Sequence, residues 1–204
     1  YENVFLEDVG ITFNNDYTRI ELGAIAKGYI ADKVKEYLQK EGINSALIDL
    51  GGNILCVGEK NNNAPFEIGI QKPFAGRNEI VAIMEIKDQS VVTSGVYERY
   101  LIDNGKIYHH ILDPKTGFSY ENNLISVTII SPKSVDGDGL STICFALGLE
   151  EGMDLVNKLD NVHGIFITND YEFHYSENFF EEISVRRIND WIIREYSACK
   201  QDIF

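Results

Sequence analysis

Apolar positions along the chain repeat with two periods, and the switches between them mark out the elements. Val9 to Phe13 reads as a short strand, followed by the polar turn Asn14-Asn15-Asp16 and an extended run from Thr18 to Leu22. From about Ala24 to Lys40 the period becomes helical, with Ile30, Val34, Tyr37 and Leu38 facing inward and Gly42 as the stop. Ser45 to Leu50 and Ile54 to Val57 read as strands around Gly51-Gly52-Asn53. Further extended runs cover Phe66 to Gln71, Ile80 to Ile86 and Val91 to Thr93. Tyr97 to Ile102 and Lys106 to Ile111 flank Asp103-Asn104-Gly105, a hairpin signal.

A strand at Leu124 to Ile130 comes next, then helices at about Gly139 to Leu147 and Glu150 to Leu159. Leu140, Ile143, Cys144 and Leu147 form the expected inner stripe of the first. Gly164 to Thr168 and Glu172 to Tyr175 pair across Asn169-Asp170. A helical tail is expected from about Ser184 to Ala198, with Ile188, Trp191, Ile192 and Tyr196 as its stripe. Strands dominate and helices cluster, so the pattern predicts an α+β fold with a mainly antiparallel sheet. It predicts one domain over residues 1–204, with 184–204 as the helical tail.

Length and charge narrow the function classes. A chain of 204 residues can bury one sizeable core. With 32 acidic against 18 basic residues the net charge is −14, a field that repels nucleic acid. Cys56, Cys144 and Cys199 are far apart, lack a CxxC pair and are not spaced with His109 and His110, which argues against zinc. No apolar run is long enough to span a bilayer. Tyr1 opens the chain without a Met or a signal-like segment, so the start reads as cut or processed and export cannot be judged from it.

The richest chemistry lies between Ser131 and Gly148. Asp138 and Thr142 are four apart, which stacks them on one helix face, and Ser141 lies beside them. Hard oxygen donors from one turn suit Mg²⁺; the competing reading is an Asp N-cap with an incidental Thr. Between Glu21 and Gly28, small residues and Lys27 lead from an extended run into a helix, a setting that favours an anion. Tight helix packing with a solvated lysine explains the same pattern. Gly51-Gly52 could cradle a phosphate or a flat ring, or simply turn the chain. Val92 to Arg99 places a hydroxyl, a glycine and a charged pair after a strand. His109 and His110 sit on a strand before Asp113-Pro114, so they point to opposite faces and at most one serves a given site. A histidine there can take a proton from a hydroxyl nucleophile; Asp113 can equally be an Asx-type turn residue.

These segments, in this order, resemble the ApbE family, the Mg²⁺-dependent FAD:protein FMN transferases also described as flavin-trafficking proteins. The matching text is ELGAIAKGYIADKV, LIDLGGNI, VVTSGVYERY, YHHILDPKTG, LISVTII and DGDGLSTICFALG, all within about Thr18 to Leu159. The resemblance implies a flavin-transferase α+β fold with Mg²⁺ bridging the FAD pyrophosphate. It implies metal ligands at Asp138, Thr142 and the Ala24 carbonyl, with Ser141 standing where some members have Asp. It implies FAD contacts at Glu21, Lys27 and Leu112, beside His110. Glu21 is more often Asp in relatives, a change that lengthens the side chain but keeps the acceptor. An N-terminal half carrying a Gly-x-Phe-Asp segment is not found here, so the chain reads as the C-terminal portion of a longer or split protein. An extracytoplasmic, membrane-associated setting is also implied.

The reaction implied is transfer of FMN from FAD to a Thr or Ser hydroxyl of an acceptor flavoprotein, releasing AMP. In that reaction His110 is the expected base and His109 faces away. Two rivals stand beside it: an Mg²⁺-dependent FAD pyrophosphatase, with water in place of the hydroxyl, and a non-catalytic flavin-binding module.

Overall fold

A computed structural model describes residues 2–76, 78–187 and 193–195. A ribbon of β1 (Val4–Glu7) and β2 (Gly10–Phe13) leads to α1 (Ala26–Lys40). Strands β3 (Ser45–Asp49), β4 (Asn53–Gly58), β5 (Phe66–Gln71), β6 (Ile80–Ile86) and β7 (Ser90–Gly95) follow. A hairpin of β8 (Tyr100–Asp103) and β9 (Lys106–His109) precedes β10 (Leu124–Ser131). Helices α2 (Ser134–Leu147) and α3 (Leu149–Val156) lead into β11 (His163–Thr168) and β12 (Phe173–Tyr175). The short α4 (Phe179–Glu182), β13 (Ser184–Arg187) and β14 (Ile193–Glu195) complete the described elements.

The main sheet has the order β14-β12-β11-β10-β7-β4-β3, and a second sheet has the order β13-β6-β5. Every neighbouring pair is antiparallel except β12 and β14, so the α+β, mainly antiparallel class holds. The alternation of β7 shows how the layers stack. Ser90, Val92 and Ser94 face α2: Ser90 Oγ bonds Ser134 Oγ, Val92 lies against Gly137, and Ser94 Oγ meets Ser141 Oγ. Val91 and Thr93 face the β5–β6 side, sharing a cleft with Ile68 and Ile80. Central β10 is therefore covered on both faces and buried at all eight positions.

Each long helix buries part of its expected stripe, Val34 and Leu38 in α1 and Leu140 and Cys144 in α2, but the buried face is rotated toward small and polar residues. In α1 the buried residues are Gly28 and Ala31, with Val34 and Leu38 half-buried, while Ile30 and Tyr37 are exposed. In α2 they are Ser134, Gly137, Asp138, Ser141, Cys144 and Phe145, while Ile143 and Leu147 of the expected stripe are exposed. The reason is the α1–α2 crossing. An added Cβ on Gly28 would lie 2.3 Å from the Ser134 carbonyl oxygen, so only small residues let the helices approach this closely.

Two boundaries need correction. α2 begins at Ser134 rather than Gly139, so Asp138 lies in its second turn and is not an N-cap. The expected helical tail from Ser184 is instead strand at Ser184–Arg187, paired antiparallel with β6, and strand again at Ile193–Glu195, paired parallel with β12. Open edges of β6 and β12 offer unpaired backbone groups, and pairing them overrides a local helical period. Ile188, Trp191, Ile192 and Tyr196 lie outside the described residues.

Candidate active site

α2 carries the oxygen-rich centre of the site. Asp138 is 4 % exposed, and its Oδ2 accepts the Gly28 N–H at 2.8 Å. Its Oδ1 accepts no hydrogen bond from the described residues. One turn on, Ser141 Oγ donates to the Asp138 carbonyl at 2.9 Å, and Thr142 Oγ1 lies 3.5 Å from the same oxygen. Ser94 of β7 closes the group, with Oγ 2.8 Å from Ser141 Oγ and 3.2 Å from Thr142 Oγ1. Ser94 was not singled out from the sequence; the period-two alternation of Ser90, Val92 and Ser94 was the available signal.

The first turn of α1 meets this centre. A Cβ added to Gly139 would lie 3.4 Å from Ile25 Cγ2, so the chain neighbours of Ala24 and Asp138 adjoin. Lys27 is half-buried beside Gly28 and forms no ion pair among the described residues. Glu21 folds its carboxylate back over Gly23, where an added Cβ would lie 2.5 Å from Oε1. Thus Asp138, Ser141, Thr142 and the α1 start come together from positions more than a hundred residues apart. No group of three or more His, Cys, Asp or Glu among the described residues could hold a metal ion. The donor set here is one carboxylate with hydroxyl and carbonyl oxygens, which fits a hard cation such as Mg²⁺ and not a thiophilic one.

Around this centre a buried polar network holds α2 to the sheet. Ser134 Oγ donates to Asn53 Oδ1 at 2.7 Å, and Ser90 Oγ lies 2.9 Å from Ser134 Oγ. Gly51 and Gly52 point their N–H groups at Asp49 Oδ1, at 2.9 and 3.3 Å. That nest is filled by the chain's own carboxylate, so it is a turn and not a free phosphate cradle.

His109 and His110 differ in burial, although both line one groove and His110 lies just past the end of β9. His109 is buried, edge-on to Phe145 with ring centroids 5.4 Å apart, and its Nε2 lies 3.0 Å from the Tyr120 carbonyl. Its Nδ1 accepts the Ile111 N–H at 3.3 Å. Both nitrogens are occupied, and burial pushes its pKa below the ordinary histidine value. His110 is exposed; its Nδ1 lies 3.2 Å from the Arg99 carbonyl oxygen. In the tautomer that donates from Nδ1, Nε2 is left as a base. A groove of about 730 Å³ contains His110, half-exposed Leu112, Arg99 and Tyr100. Asp113 does not serve His110: it accepts the Lys115 N–H and the Thr116 hydroxyl in an Asx-type turn. Seven steps along α2, about 10 Å of helix, lead from Asp138 to Phe145, the residue on which His109 packs.

Comparison with known proteins points to one family. The model of the ApbE family matches residues 1–166. A protein of Klebsiella pneumoniae (strain 342) named FAD:protein FMN transferase is 45% identical over 166 residues, covering 81% of this chain and 48% of that protein. Its namesake in Treponema pallidum is 38% identical over 175 residues, 82% of this chain and 48% of its own length. Among solved structures, the ApbE protein of Thermotoga maritima superposes with a TM-score of 0.78 at 30% identity, over 88% of this chain and 59% of that one. Flavin transferase ApbE from Vibrio cholerae gives 0.74 at 28% identity, over 88% and 58%. The chain spans about half the length of the curated relatives it matches. With its family model, its relatives and its fold in agreement, this chain belongs to the ApbE family.

Proposed function

We propose that this chain takes part in Mg²⁺-dependent transfer of FMN from FAD to a Thr or Ser hydroxyl of an acceptor flavoprotein. The observation that carries the reading is the Asp138–Ser141–Thr142–Ser94 oxygen cluster of α2 and β7, which Asp138 ties to Gly28 in the first turn of α1, next in sequence to Lys27. Asp138 Oδ1, Thr142 Oγ1 and the Ala24 carbonyl are the atoms that would hold the ion, with Ser141 turned inward to the Asp138 carbonyl. What a divalent ion supplies there is charge neutralisation on a pyrophosphate. Lys27 adds a positive contact, and the N-terminus of α1 favours the same anion. Glu21 and Leu112 would add contacts to FAD, as the family likeness implies.

Proton transfer falls to His110. With Nδ1–H held on the Arg99 carbonyl, Nε2 accepts the proton of the acceptor hydroxyl as that oxygen bonds to the flavin-side phosphorus. The bond to the adenosine-side phosphate breaks, and AMP leaves with the electron pair. His109, tied at both nitrogens, takes no part. By family likeness the setting is extracytoplasmic and membrane-associated.

Incubation of the protein with FAD and Mg²⁺, with and without an acceptor domain, followed by mass measurement, tests the reading. Transfer adds one FMN to the acceptor in a metal-dependent manner. FAD cleavage to FMN and AMP with no acceptor gain would favour the pyrophosphatase instead, and binding without turnover would favour a non-catalytic flavin module.

A further inference from the structure

The first turns of α1 and α2 leave backbone N–H groups that no helical carbonyl can reach. Neither helix supplies its own side-chain cap: Ile25 and Lys133, the cap residues, make none. Each is capped from the other helix. Asp32 Oδ1 accepts the Ser134 N–H at 2.8 Å and its Oδ2 accepts the Val135 N–H at 2.9 Å. In return Asp138 Oδ2 accepts the Gly28 N–H at 2.8 Å. Asp32 lies one turn beyond Gly28 and Asp138 one turn beyond Ser134, so the exchange is reciprocal. Asp32 forms no ion pair among the described residues, so its charge is committed to the positive end of α2. The contact at Gly28 leaves the crossing no slack.

We propose that Asp32 is a positioning residue for the oxygen centre. By pinning the Ser134 and Val135 N–H groups, it fixes where α2 begins and how it is rotated, and therefore where Asp138 and Thr142 point. Freed of Asp32, the first turn of α2 frays and carries the Asp138 carboxylate away from α1. The inference rests on the metal reading above and adds to it a residue that touches neither ion nor nucleotide.

Manganese serves as the probe, its binding to the full chain read by the loss of the free-ion electron paramagnetic resonance signal in the presence of FAD. Measurements are made well below the unfolding temperature of every variant. Asp32→Asn, which keeps one acceptor oxygen, is expected to weaken Mn²⁺ binding about tenfold, the usual effect of removing a supporting partner behind a metal site, and Asp32→Ala more. Val34→Ala, on the same helix but packed on the small core of Ala31 and Leu55, should lower the melting temperature without changing Mn²⁺ affinity. Should Asp32→Ala not fold, Asp32→Asn decides alone. Parent-like affinity in the Asp32 variants, or an equal loss in Val34→Ala, would overturn the inference. Absence of Mn²⁺ binding by the parent would overturn the metal reading and this inference with it.

Discussion

At the crossing of α1 and α2 the helices meet backbone to backbone, and Asp138, Ser134 and Ser141 are all buried. The β8–β9 hairpin, by contrast, exposes all four residues of β8, and Leu101 and Ile102 are more than half exposed. One region holds its oxygen atoms in a buried, hydrogen-bonded cluster; the other leaves His110, the proposed base, exposed in an open groove. The difference suits the tasks proposed for them. Ligands to a small cation need a rigid frame, whereas a base that must meet a second protein needs an accessible one. Substitutions at the crossing should therefore damage stability and metal binding together. Those at the hairpin should separate activity from stability.

The largest effect is expected at Gly28. Gly28→Ala sets a methyl group 2.3 Å from the Ser134 carbonyl, so the helices must part, costing about 3 kcal/mol in a urea titration and removing the Gly28–Asp138 bond. A variant as stable as the parent would show that the crossing can yield. Next comes Asp138→Ala, expected to lower Mg²⁺-dependent transfer by on the order of 100-fold or more through loss of the proposed principal ligand, with the fold retained in circular dichroism. Undiminished Mg²⁺ dependence would remove Asp138 from the site.

The two histidines sharpen the contrast. His110→Ala should reduce transfer on the order of 100-fold while leaving stability within about 0.5 kcal/mol and FAD binding intact. His109→Ala should do the converse, costing about 1–3 kcal/mol because the Tyr120 carbonyl and Ile111 N–H lose their partner. The opposite pattern in paired transfer and unfolding assays would reverse the assignment of faces.

The smallest effect is a pH slope. Burial holds the His109 pKa below its usual 6.5, so as pH falls the unfolded chain takes up that proton first. This contribution to stability is complete above about pH 6.5 and declines as pH drops from there toward the depressed folded value. Unfolding titrations between pH 7.5 and 5.5 should show this slope in the parent and a shallower one in His109→Gln. Equal slopes would mean that His109 is not held neutral by the fold.

Much of this molecule was legible from its residues because strand periodicity and turn chemistry are local. β5 and β6 match their expected bounds, Asn104-Gly105 turns the hairpin with positive φ at both residues, and Gly42 ends α1 at φ +81. The likeness of the motifs to one family followed from their order. The buried faces of α1 and α2 were only half legible: Val34, Leu38, Leu140 and Cys144 pack inward as expected, and the rest do not. Hydrophobicity points to Ile30, Tyr37, Ile143 and Leu147, yet what buries a helix here is how closely another backbone approaches it. That depends on Gly28 meeting Ser134, 106 positions later. The start of α2 escaped for the same reason, since its cap is a carboxylate on α1. Local sequence determined which segments are strands, turns and helices and which atoms could ligate or take a proton. Only the tertiary structure decided which of those atoms meet, because hydrogen bonds between helices far apart in sequence leave no periodic trace in either one.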